Sequence, residues 1–563
     1  MKYLFFPLFV FCLTSLGATP KPPGRMNPEL PARPNILWLV AEDLSPYIAA
    51  YGDRTVATPN LDRLASEGVV YDQVYSPAPV CAPARASIIT GMYPTTIGAN
   101  HMRTGPFHLE NMAPQAFQNE TKNRPADVPV YEAIPGPEVR MFTEYLRAQG
   151  YYCSNNFKED YQFKKTKTAW DECSPKAHWR NRKPGQPFFS VFNFEVTHES
   201  MIWLKAKDSL WVDPQLPVQM PPYLPDTEIA KNDMRRMYSN LKEMDAQVGQ
   251  VLRELEEDGL LENTVIFWYA DHGGPFPRQK RQLQNSGMKA PMIIRFPHQP
   301  FAGQRDARII SFVDFAPTVL SLTGIKPPKH MQGGAFLGPY IRKQEPVYAF
   351  GAADRFGKET DTHRAATDGR FKYIRYYHPE KPMFLYTGFR DDMPIMRELY
   401  RLRDEGKLTE AQKLWFRSSK PMEELFDCTA DPHEIHDLAG DPAYADKLKE
   451  LRQACEGWVA AAKDKNIQPE TELFKELWPD GKQPLTAQPI LKLGSNTIAI
   501  KCDTKGASIG YKLIAKGENP GNTDWQIYSR PFKPEPGKEL VVIAHRIGFK
   551  PSEFVRLPLD GGL

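Results

Sequence analysis

The stretch Cys81-Ala-Pro-Ala-Arg85-Ala-Ser-Ile-Ile-Thr90-Gly91 carries the most information in this chain. Pro83 is suited to the first turn of a helix, and Gly91 can end one. The pattern predicts a short helix with Cys81 at its N-terminus, where free N–H groups and the positive end of the helix dipole favour an anion. Arg85 follows about one turn later, on the same helix face. We therefore expect an anion site beside a cysteine and an arginine.

Three apolar runs elsewhere in the chain each lead into polar residues. They are Asn35–Ala41 before Glu42-Asp43, residues 187–194 before Thr197-His198, and Thr264–Ala270 before Asp271-His272. Continuous apolar runs of this length are typical of strands buried on both faces of a parallel sheet. Residues 232–259 have helical periodicity. Strands that alternate with helices predict a doubly wound α/β sheet with these polar residues at its carboxyl edge.

Length and composition indicate a globular chain of more than one domain. Its 563 residues are 41% hydrophobic and 25% charged, with a net charge of +3, which favours about two or three domains. The lysines and arginines are spread out, so nothing indicates a nucleic-acid partner. Residues 1–18 combine one positive charge, an apolar run and small residues, which predicts a signal peptide and a secreted or periplasmic protein. No other stretch is apolar enough to predict a membrane span.

The sequence pattern changes after residue 375. We expect a smaller α+β subdomain over residues 376–465 and a linker over residues 466–486, where proline and charged residues are dense. The last segment, residues 487–563, is rich in predicted strands and turns, and this pattern predicts an appended small β-sandwich. It weakly resembles the C-terminal domain of chitobiases and β-hexosaminidases. A packing module fits this segment as well as a sugar-binding module does.

The Cys81 stretch resembles the type I sulfatase signature, C-x-P-[SA]-R-x4-T-G, and motifs in the family's order extend the resemblance over roughly residues 33–460. The resemblance implies an alkaline-phosphatase-like α/β fold, with a catalytic domain over residues 33–375. It also implies that a maturase oxidises Cys81 to formylglycine (3-oxoalanine). The hydrate of this aldehyde has two hydroxyls on one carbon, so that one can attack sulfur and the other can later expel sulfate.

The resemblance further implies a calcium site. In the family, the positions of Glu42, Asp43, Asp271 and His272 hold this ion beside residue 81. Glu42 stands where the family usually has aspartate, although a longer carboxylate can still ligate. Oxygen-rich ligation suits a hard cation such as Ca²⁺, and His272 leaves room for other metals.

Four further positions match residues that contact sulfate or the nucleophile in the family. Arg85 matches the arginine that anchors the formylglycine hydrate, Lys158 and Lys289 match two sulfate-binding lysines, and His198 matches a histidine near the leaving oxygen. Taken singly, His198 would be an ordinary loop histidine and Lys289 a solvated charge. Asp160 stands where the family usually has a histidine, which leaves the identity of the leaving-group acid open.

Six residues are candidates for contacts with the substrate: His101, Arg103, Asp160, Asp354, Arg355 and Arg364. His101 could supply the imidazole that is missing at position 160, or bind sugar hydroxyls, and a structural role fits it equally well. The last three residues follow the predicted strand at residues 347–350 and could bind a uronate or a second sulfate.

The cysteine count argues against a full disulfide framework. The seven cysteines become six after removal of residues 1–18 and five after conversion of Cys81, and an odd remainder does not pair completely. Cys153 and Cys173 flank one loop and could form a disulfide in an oxidising compartment.

Together these features predict a secreted sulfatase that hydrolyses sulfate esters of a sulfated polysaccharide or oligosaccharide. The Cys81 region is most similar to bacterial sequences described as heparan N-sulfatase-like. Two alternatives remain open at this stage. One is a phosphonate monoester or phosphodiester hydrolase of the same superfamily, and the other is a catalytically dead glycan-binding protein.

Overall fold

The computed structural model describes residues 27–105, 124–494, 497–533 and 535–559. The expected signal peptide, residues 1–18, lies outside the described residues. The strands are β1 (Asn35–Ala41), β2 (Val69–Tyr75), β3 (Tyr152–Asn156), β4 (Glu172–Cys173), β5 (Phe188–Phe194), β6 (Thr264–Ala270), β7 (Met292–Arg295), β8 (Gln304–Ser311), β9 (Ala349–Ala353), β10 (His363–Thr367), β11 (Phe371–Tyr376), β12 (Glu423–Asp427), β13 (Ile490–Leu493), β14 (Ile498–Lys501), β15 (Ser508–Ile514), β16 (Gln526–Ile527), β17 (Glu539–His545) and β18 (Val555–Pro558). The α-helices are α1 (Pro59–Glu67), α2 (Cys81–Thr90), α3 (Phe142–Ala148), α4 (Met201–Leu204), α5 (Glu228–Glu257), α6 (Asn285–Met288), α7 (Phe315–Leu322), α8 (Pro394–Asp404), α9 (Glu410–Lys413), α10 (Ala445–Ala462) and α11 (Glu470–Leu477).

The central sheet has the strand order β4-β3-β5-β1-β6-β7-β2-β8. Its middle strand, β1, pairs in parallel with β5 and β6, whereas β7 runs antiparallel between β6 and β2. Every residue of β1 and β6 is buried, so both faces of the sheet are covered. Helices α2, α3 and α7 pack together as one group, and α1, α5 and α8 as another. The α/β class predicted from the sequence is confirmed.

The first group of helices is anchored to the sheet through Trp38 of β1. Its ring lies 4.9 Å from that of Phe189 on β5 and 5.5 Å from that of Tyr269 on β6, measured between centroids. The rings of Phe142 on α3 and Phe315 on α7 lie 5.6 and 6.0 Å from it. Aromatic packing of this kind fixes neighbouring strands and the helices above them.

The register of the three central strands brings their carboxyl ends together. Ala41 of β1 pairs with Phe194 of β5 and with Ala270 of β6. The residues that follow these strands therefore emerge side by side at one edge of the sheet, as predicted for a doubly wound fold.

The second sheet contains strands on both sides of the predicted domain boundary at residue 375. It has the order β12-β11-β10-β9 and is antiparallel throughout, with α10 packed on β10 and β11. Three of its strands precede or cross residue 375, and Phe371 pairs with Asp427. Residue 375 lies within β11, whose hydrogen bonds to β10 and β12 continue on both sides of the predicted boundary.

The segment expected to be a linker, residues 466–486, contains the docked helix α11. Leu473 and Leu477 are buried against Val128 and Tyr131. The carboxylate of Glu470 accepts a hydrogen bond from the Tyr131 hydroxyl at 3.0 Å. Tertiary burial therefore orders a segment whose local composition favours a linker.

The C-terminal part forms two small antiparallel sheets, β13-β14 and β16-β15-β17-β18. Ile498 and Ile500 of β14 share one buried cluster with Leu540 and Val542 of β17, so the two sheets pack face to face. Cys153 and Cys173 carry free thiols, and the disulfide considered above is not formed. Among the described residues, no helix combines the length and apolar character that crossing a bilayer requires.

Candidate active site

Cys81 is the first residue of α2 and is buried at the carboxyl edge of the central sheet. Its Sγ lies 3.7 Å from Nε2 of His272 and 4.0 Å from Oδ1 of Asp43. Gly91, at φ 68°, ends the helix with a backbone bond to Ser87, in the left-handed conformation that glycine favours. The N-terminus of α2 therefore presents residue 81 to the polar groups that follow β1 and β6.

Four buried side chains converge tightly enough to hold a metal ion: Asp43, Cys81, Asp271 and His272, with one ligand atom each, all within 4.8 Å of one another. His272 Nε2 lies 3.0 Å from Asp43 Oδ1 and 3.7 Å from Asp271 Oδ1. Two buried carboxylates in contact repel each other unless a cation lies between or beside them. This donor set of carboxylate oxygens and one imidazole fits a divalent cation.

Glu42 lies beside this cluster but faces the cations of the site. One of its oxygens is 2.7 Å from Nζ of Lys158, and the other accepts a hydrogen bond from Arg85. It forms a second possible ligand group with Asp43, Cys81 and His198, rather than with Asp271 and His272. Glu42 therefore differs from the other predicted ligands, because its two oxygens face Arg85 and Lys158 rather than Asp271 and His272.

Arg85 and Lys158 lie where the sequence analysis expects them. Arg85 extends from α2 to Asp271, at 3.2 Å, and to Asn193 of β5, at 2.8 Å. Although burial disfavours the charged ammonium, Glu42 holds the pKa of Lys158 well above its usual value. Both side chains therefore stay cationic next to Cys81.

Asp160 and Arg103 pair with each other beside Lys158. Arg103 donates to Oδ1 of Asp160, and Lys158 lies 3.8 Å from Oδ2. Asp160 has a left-handed backbone, at φ 53°, which aspartate tolerates better than most residues. These two predicted substrate contacts are brought together beside Lys158.

His198 contacts Lys280, a residue that the sequence analysis missed. The Lys280 ammonium lies 2.7 Å from Oδ2 of Asp43, 3.0 Å from Oε1 of Glu199 and 3.3 Å from Nε2 of His198. Burial and the charge of Lys280 lower the pKa of His198 to about 4. His198 is therefore neutral at neutral pH, and its Nε2 accepts the hydrogen bond from Lys280.

Lys289, predicted as the second sulfate-binding lysine, lies elsewhere. It follows α6 and forms an isolated bridge with Tyr75, and burial and the charge of Lys372 lower its pKa. The loop after β6 folds back on itself, since the N–H of Gly273 donates to the carbonyl of Gly287 at 2.8 Å. Because the loop folds back in this way, Lys280 lines the cavity beside Cys81 and Lys289 does not. The signal in the sequence was a Lys-Arg pair in the loop directly after Asp271-His272.

His101, Asp354, Arg355 and Arg364 belong to a buried network behind the cavity beside Cys81. Nδ1 of His101 accepts from the N–H of Arg355, and Glu470 of α11 pairs with Arg355. Arg364 pairs with Asp354 at 2.8 Å and with Asp464 at 2.6 Å. His101 is only 1% exposed. The charges of Asp354, Arg355 and Arg364 are paired inside the protein, and contact of these four residues with substrate stays a prediction.

Glu199 contacts Lys280 and two further cations that were not predicted from the sequence, Arg281 and Arg390. Its buried carboxylate accepts from Arg281 at 2.6 and 2.9 Å and from Arg390 at 3.1 Å, in addition to Lys280. Although burial opposes ionisation, Arg281, Lys280 and Arg390 hold the pKa of Glu199 well below its usual value. The N–H of Glu199 also donates to Asp43 at 2.7 Å, which links this cluster to the metal ligands.

A cavity of about 410 Å³ opens beside Cys81. Its polar lining includes Arg103, Lys158, Asp160, His198, Lys280 and Arg281, and its apolar lining includes Met102, Phe157, Met201, Phe356 and Phe389. Four acidic side chains also line it, namely Glu159, Asp160, Glu195 and Glu199. An anion that enters this cavity meets the ammonium groups of Lys158 and Lys280 beside Cys81, and the aromatic walls can accommodate the apolar faces of a sugar.

A family model described as Sulfatase matches residues 34–325. The chain belongs to the sulfatase family. A second model, described as N-sulphoglucosamine sulphohydrolase, C-terminal, matches residues 274–415. Family membership makes this protein a sulfuric ester hydrolase, and it implies a formylglycine and a divalent metal. Asp43, Cys81, Asp271 and His272 are the described residues that fit these two groups.

Known proteins similar to this sulfatase include enzymes that act on glycans. The chain is 50% identical over 564 residues to an ulvan-active sulfatase of Formosa agariphila, and the match covers 94% of this chain and 92% of that protein. It is 25% identical to human N-sulphoglucosamine sulphohydrolase, with 76% of this chain and 90% of that protein covered. A solved structure of a protein with its substrate D-glucosamine-2-N,6-O-disulfate has a similar fold, with a TM-score of 0.53 at 18% identity over 77% of this chain and 99% of that one.

Proposed function

We propose that this sulfatase removes sulfate esters from ulvan or a closely related sulfated polysaccharide. The observation that carries the proposal is the 50% identity to an ulvan-active sulfatase across nearly the full length of both chains. The cavity beside Cys81 supports it, because it combines several cations with aromatic walls and so suits an anionic sugar.

In this proposal, Cys81 is converted to formylglycine by a maturase. The hydrate would supply two hydroxyls on one carbon. As one attacks sulfur, the bond from sulfur to the sugar oxygen breaks; the other then loses its proton, which re-forms the aldehyde and expels sulfate. The N-terminus of α2 favours negative charge at residue 81. Arg85, held by Asp271 and Asn193, would orient a hydroxyl at residue 81.

Asp43, Asp271 and His272 would hold a divalent metal beside residue 81, and we propose Ca²⁺ because carboxylate oxygens dominate this set. The ion would polarise sulfate oxygens when bound. Glu42 would serve mainly to keep Arg85 and Lys158 in place, since both of its oxygens contact them.

Lys158 and Lys280 line the same cavity as Cys81, and we assign both to the oxygens of sulfate. Charged donors fixed in a buried site stabilise a developing negative charge without having to reorganise. His198, neutral and fixed by Lys280, would contact the leaving oxygen. Asp160 and Arg103 would bind hydroxyls of the sugar, because both line this cavity.

Residues 1–18 would direct export, which suits an enzyme that acts on an extracellular polysaccharide. The two small C-terminal sheets would act as an accessory module that is packed on the catalytic unit. Arg147 of α3 donates to Asp171 and to the carbonyl of Trp525, and so joins the two parts.

The experiment that tests this function is sulfate release by enzyme that has been coexpressed with a formylglycine-generating maturase. We expect inorganic sulfate from ulvan, and none from the Cys81→Ala variant prepared in the same way. Aryl phosphodiesters and phosphonate monoesters, assayed side by side, should react far more slowly than an aryl sulfate. Faster turnover of the phosphorus substrates, or no sulfate from ulvan, would contradict the proposal.

A further inference from the structure

Glu199 is a single buried carboxylate shared by three cations. Arg281 contacts it through two nitrogens, at 2.9 and 2.6 Å, which is the parallel two-bond geometry of a strong arginine–carboxylate pair. Arg390 contacts the same carboxylate at 3.1 Å, and Lys280 contacts it at 3.0 Å. Glu199 itself is 0% exposed. One carboxylate therefore contacts three cations, of which Lys280 is shared with Asp43.

This cluster carries an excess of positive charge. Lys280 also pairs with Asp43, but within the described part of the chain Glu199 is the acidic residue in ion-pair contact with Arg281 and Arg390. Burial and the neighbouring Arg281 lower the pKa of Arg390 to about 10, so it remains charged at neutral pH. A buried charge without full compensation is costly, and an anionic ligand would remove that cost.

Arg281 lies at the border between two neighbouring cavities. One contains Cys81 and Lys280, and the other is lined by Arg390 and Tyr400. Arg281, Phe356 and Thr387 line both, so the two cavities adjoin along these residues. A sugar chain whose sulfate lies at Cys81 would reach the second cavity past Arg281.

The backbone of Arg281 is held in an uncommon conformation. Its φ is 75°, in the left-handed region, and its N–H donates to the carbonyl of Pro79 at 2.7 Å. Such conformations cost energy in residues other than glycine and persist where the surrounding structure enforces them, often at binding sites. The loop after β6 is thus built to keep this guanidinium at the border.

The acidic residues of the second cavity do not cancel this charge. Asp354 is paired with Arg364, and Asp361 lies 2.7 Å from the ammonium of Lys420. Glu359 is exposed to solvent, where its field is screened. The two arginines therefore remain the cations available to a ligand.

We propose that Arg281 and Arg390 form a second anion subsite, which binds a carboxylate or a second sulfate ester on the sugar next to the one that loses its sulfate. This inference rests on the proposed function and adds a requirement for a neighbouring anionic sugar. Arg281 already contacts Glu199 through two nitrogens, and Arg390 donates to Glu199 and to two backbone carbonyls. The two guanidinium groups would therefore attract either anion through their charge and their remaining N–H groups. Phe356, between the two cavities, offers an aromatic surface to the connecting sugar.

The test compares three sulfated disaccharides that differ only in the neighbouring sugar. In one that sugar is a uronate, in the second its carboxyl is reduced to an alcohol, and in the third it carries a second sulfate. Wild-type enzyme should prefer an anionic neighbour over the reduced one in kcat/KM by on the order of tenfold to a hundredfold, the range for a charged hydrogen bond. Preference for the uronate or for the doubly sulfated sugar identifies which anion is bound.

The Arg281→Gln variant should lose most of this preference, with each rate divided by the same variant's rate on an aryl sulfate. If Arg281→Gln does not fold, Arg281→Lys serves instead, since it keeps the charge beside Glu199 but loses the two-bond geometry. Arg278→Gln is the matched control. Arg278 lies in the same loop at φ 60° and donates to the carbonyls of His433 and Glu434, so its loss should preserve the preference.

Two results would overturn the inference while leaving the proposed function intact. In one, wild-type enzyme desulfates all three disaccharides equally well. In the other, Arg281→Gln and Arg281→Lys keep the full preference for an anionic neighbour. Absence of sulfate release from every substrate, the aryl sulfate included, would instead contradict the proposed function and the subsite together.

Discussion

Replacing Lys280 by methionine tests whether the lysine that contributes to sulfate hydrolysis is Lys280, which the structure places beside Cys81, or Lys289, which is predicted there from the sequence. Methionine keeps most of the length and apolar volume of the lysine stem but removes the charge. Lys280 lies 2.7 Å from Asp43 and 3.0 Å from Glu199 with 2% of its side chain exposed, whereas Lys289 lies beside Lys372 and Tyr75. The matched control is therefore Lys289→Met.

The expected size of the effect follows from these contacts. Removing one partner of a buried ion pair costs roughly 3–5 kcal/mol of folding stability. Asp43 keeps the N–H of Glu199, and Glu199 keeps two arginines, so we expect a value near the lower end, about 3 kcal/mol. Removing one fixed donor to a developing anion costs about 10²–10³-fold in kcat, or roughly 3–4 kcal/mol.

Sulfate release from an aryl sulfate and from ulvan measures the rate, and thermal unfolding measures the stability. Metal content, measured on the same samples, distinguishes loss of a donor from loss of the ion. Lys289→Met should change stability by less than about 1 kcal/mol, because it removes repulsion from Lys372 as well as a charge. Two results would contradict this prediction. One is a Lys280→Met enzyme with the wild-type rate of sulfate release, and the other is a Lys289→Met enzyme whose rate falls as much as expected for Lys280→Met.

Three further predictions concern the metal, pH and the buried network. Asp43→Asn removes a charge that favours a divalent cation, so this variant should need much more Ca²⁺ than wild type to recover activity after chelation; an unchanged requirement would exclude Asp43 as a ligand. Burial raises the pKa of Asp233 to about 7, so the folded state binds a proton that the unfolded state releases, and wild-type stability should fall between pH 5 and pH 7. The free energy of unfolding of Asp233→Asn should lack this fall, so that it gains on the order of 2–3 kcal/mol relative to wild type between pH 5 and pH 7. Parallel stability profiles of the two proteins would contradict this prediction. His101→Ala should lower the melting temperature and reduce turnover of aryl sulfate and glycan to a similar degree, because the ring packs on Arg355 and Glu470; a loss confined to the glycan would indicate direct substrate contact instead.

The elements that carry local signals were predictable from the sequence. β1 and β6 are continuous apolar runs because they are buried on both faces, and their predicted bounds match the structure. Since parallel strands end at one edge, Asp43 and Asp271 had to lie together. The helix that begins at Cys81 followed from proline in its first turn and glycine after its end.

Features that depend on tertiary contacts were not predictable. The choice between Lys280 and Lys289 depends on how the loop after β6 folds back, which no local periodicity encodes. The pairing of Glu42 with Arg85 and Lys158 depends on three separate elements meeting. Helix α11 lies in a stretch rich in proline and charge, and it is ordered by burial of its leucines against Tyr131 rather than by its composition.

The most direct test of the central claim is the mass of the peptide that contains residue 81, from enzyme that is active on ulvan. We predict that Cys81 has lost its sulfur and gained an aldehyde oxygen, and that a hydrazine probe labels this peptide. Labelling should rise and fall with specific activity among preparations made with and without the maturase. A fully active preparation in which Cys81 is an intact, unlabelled thiol would contradict the assignment of this residue as the precursor of the nucleophile.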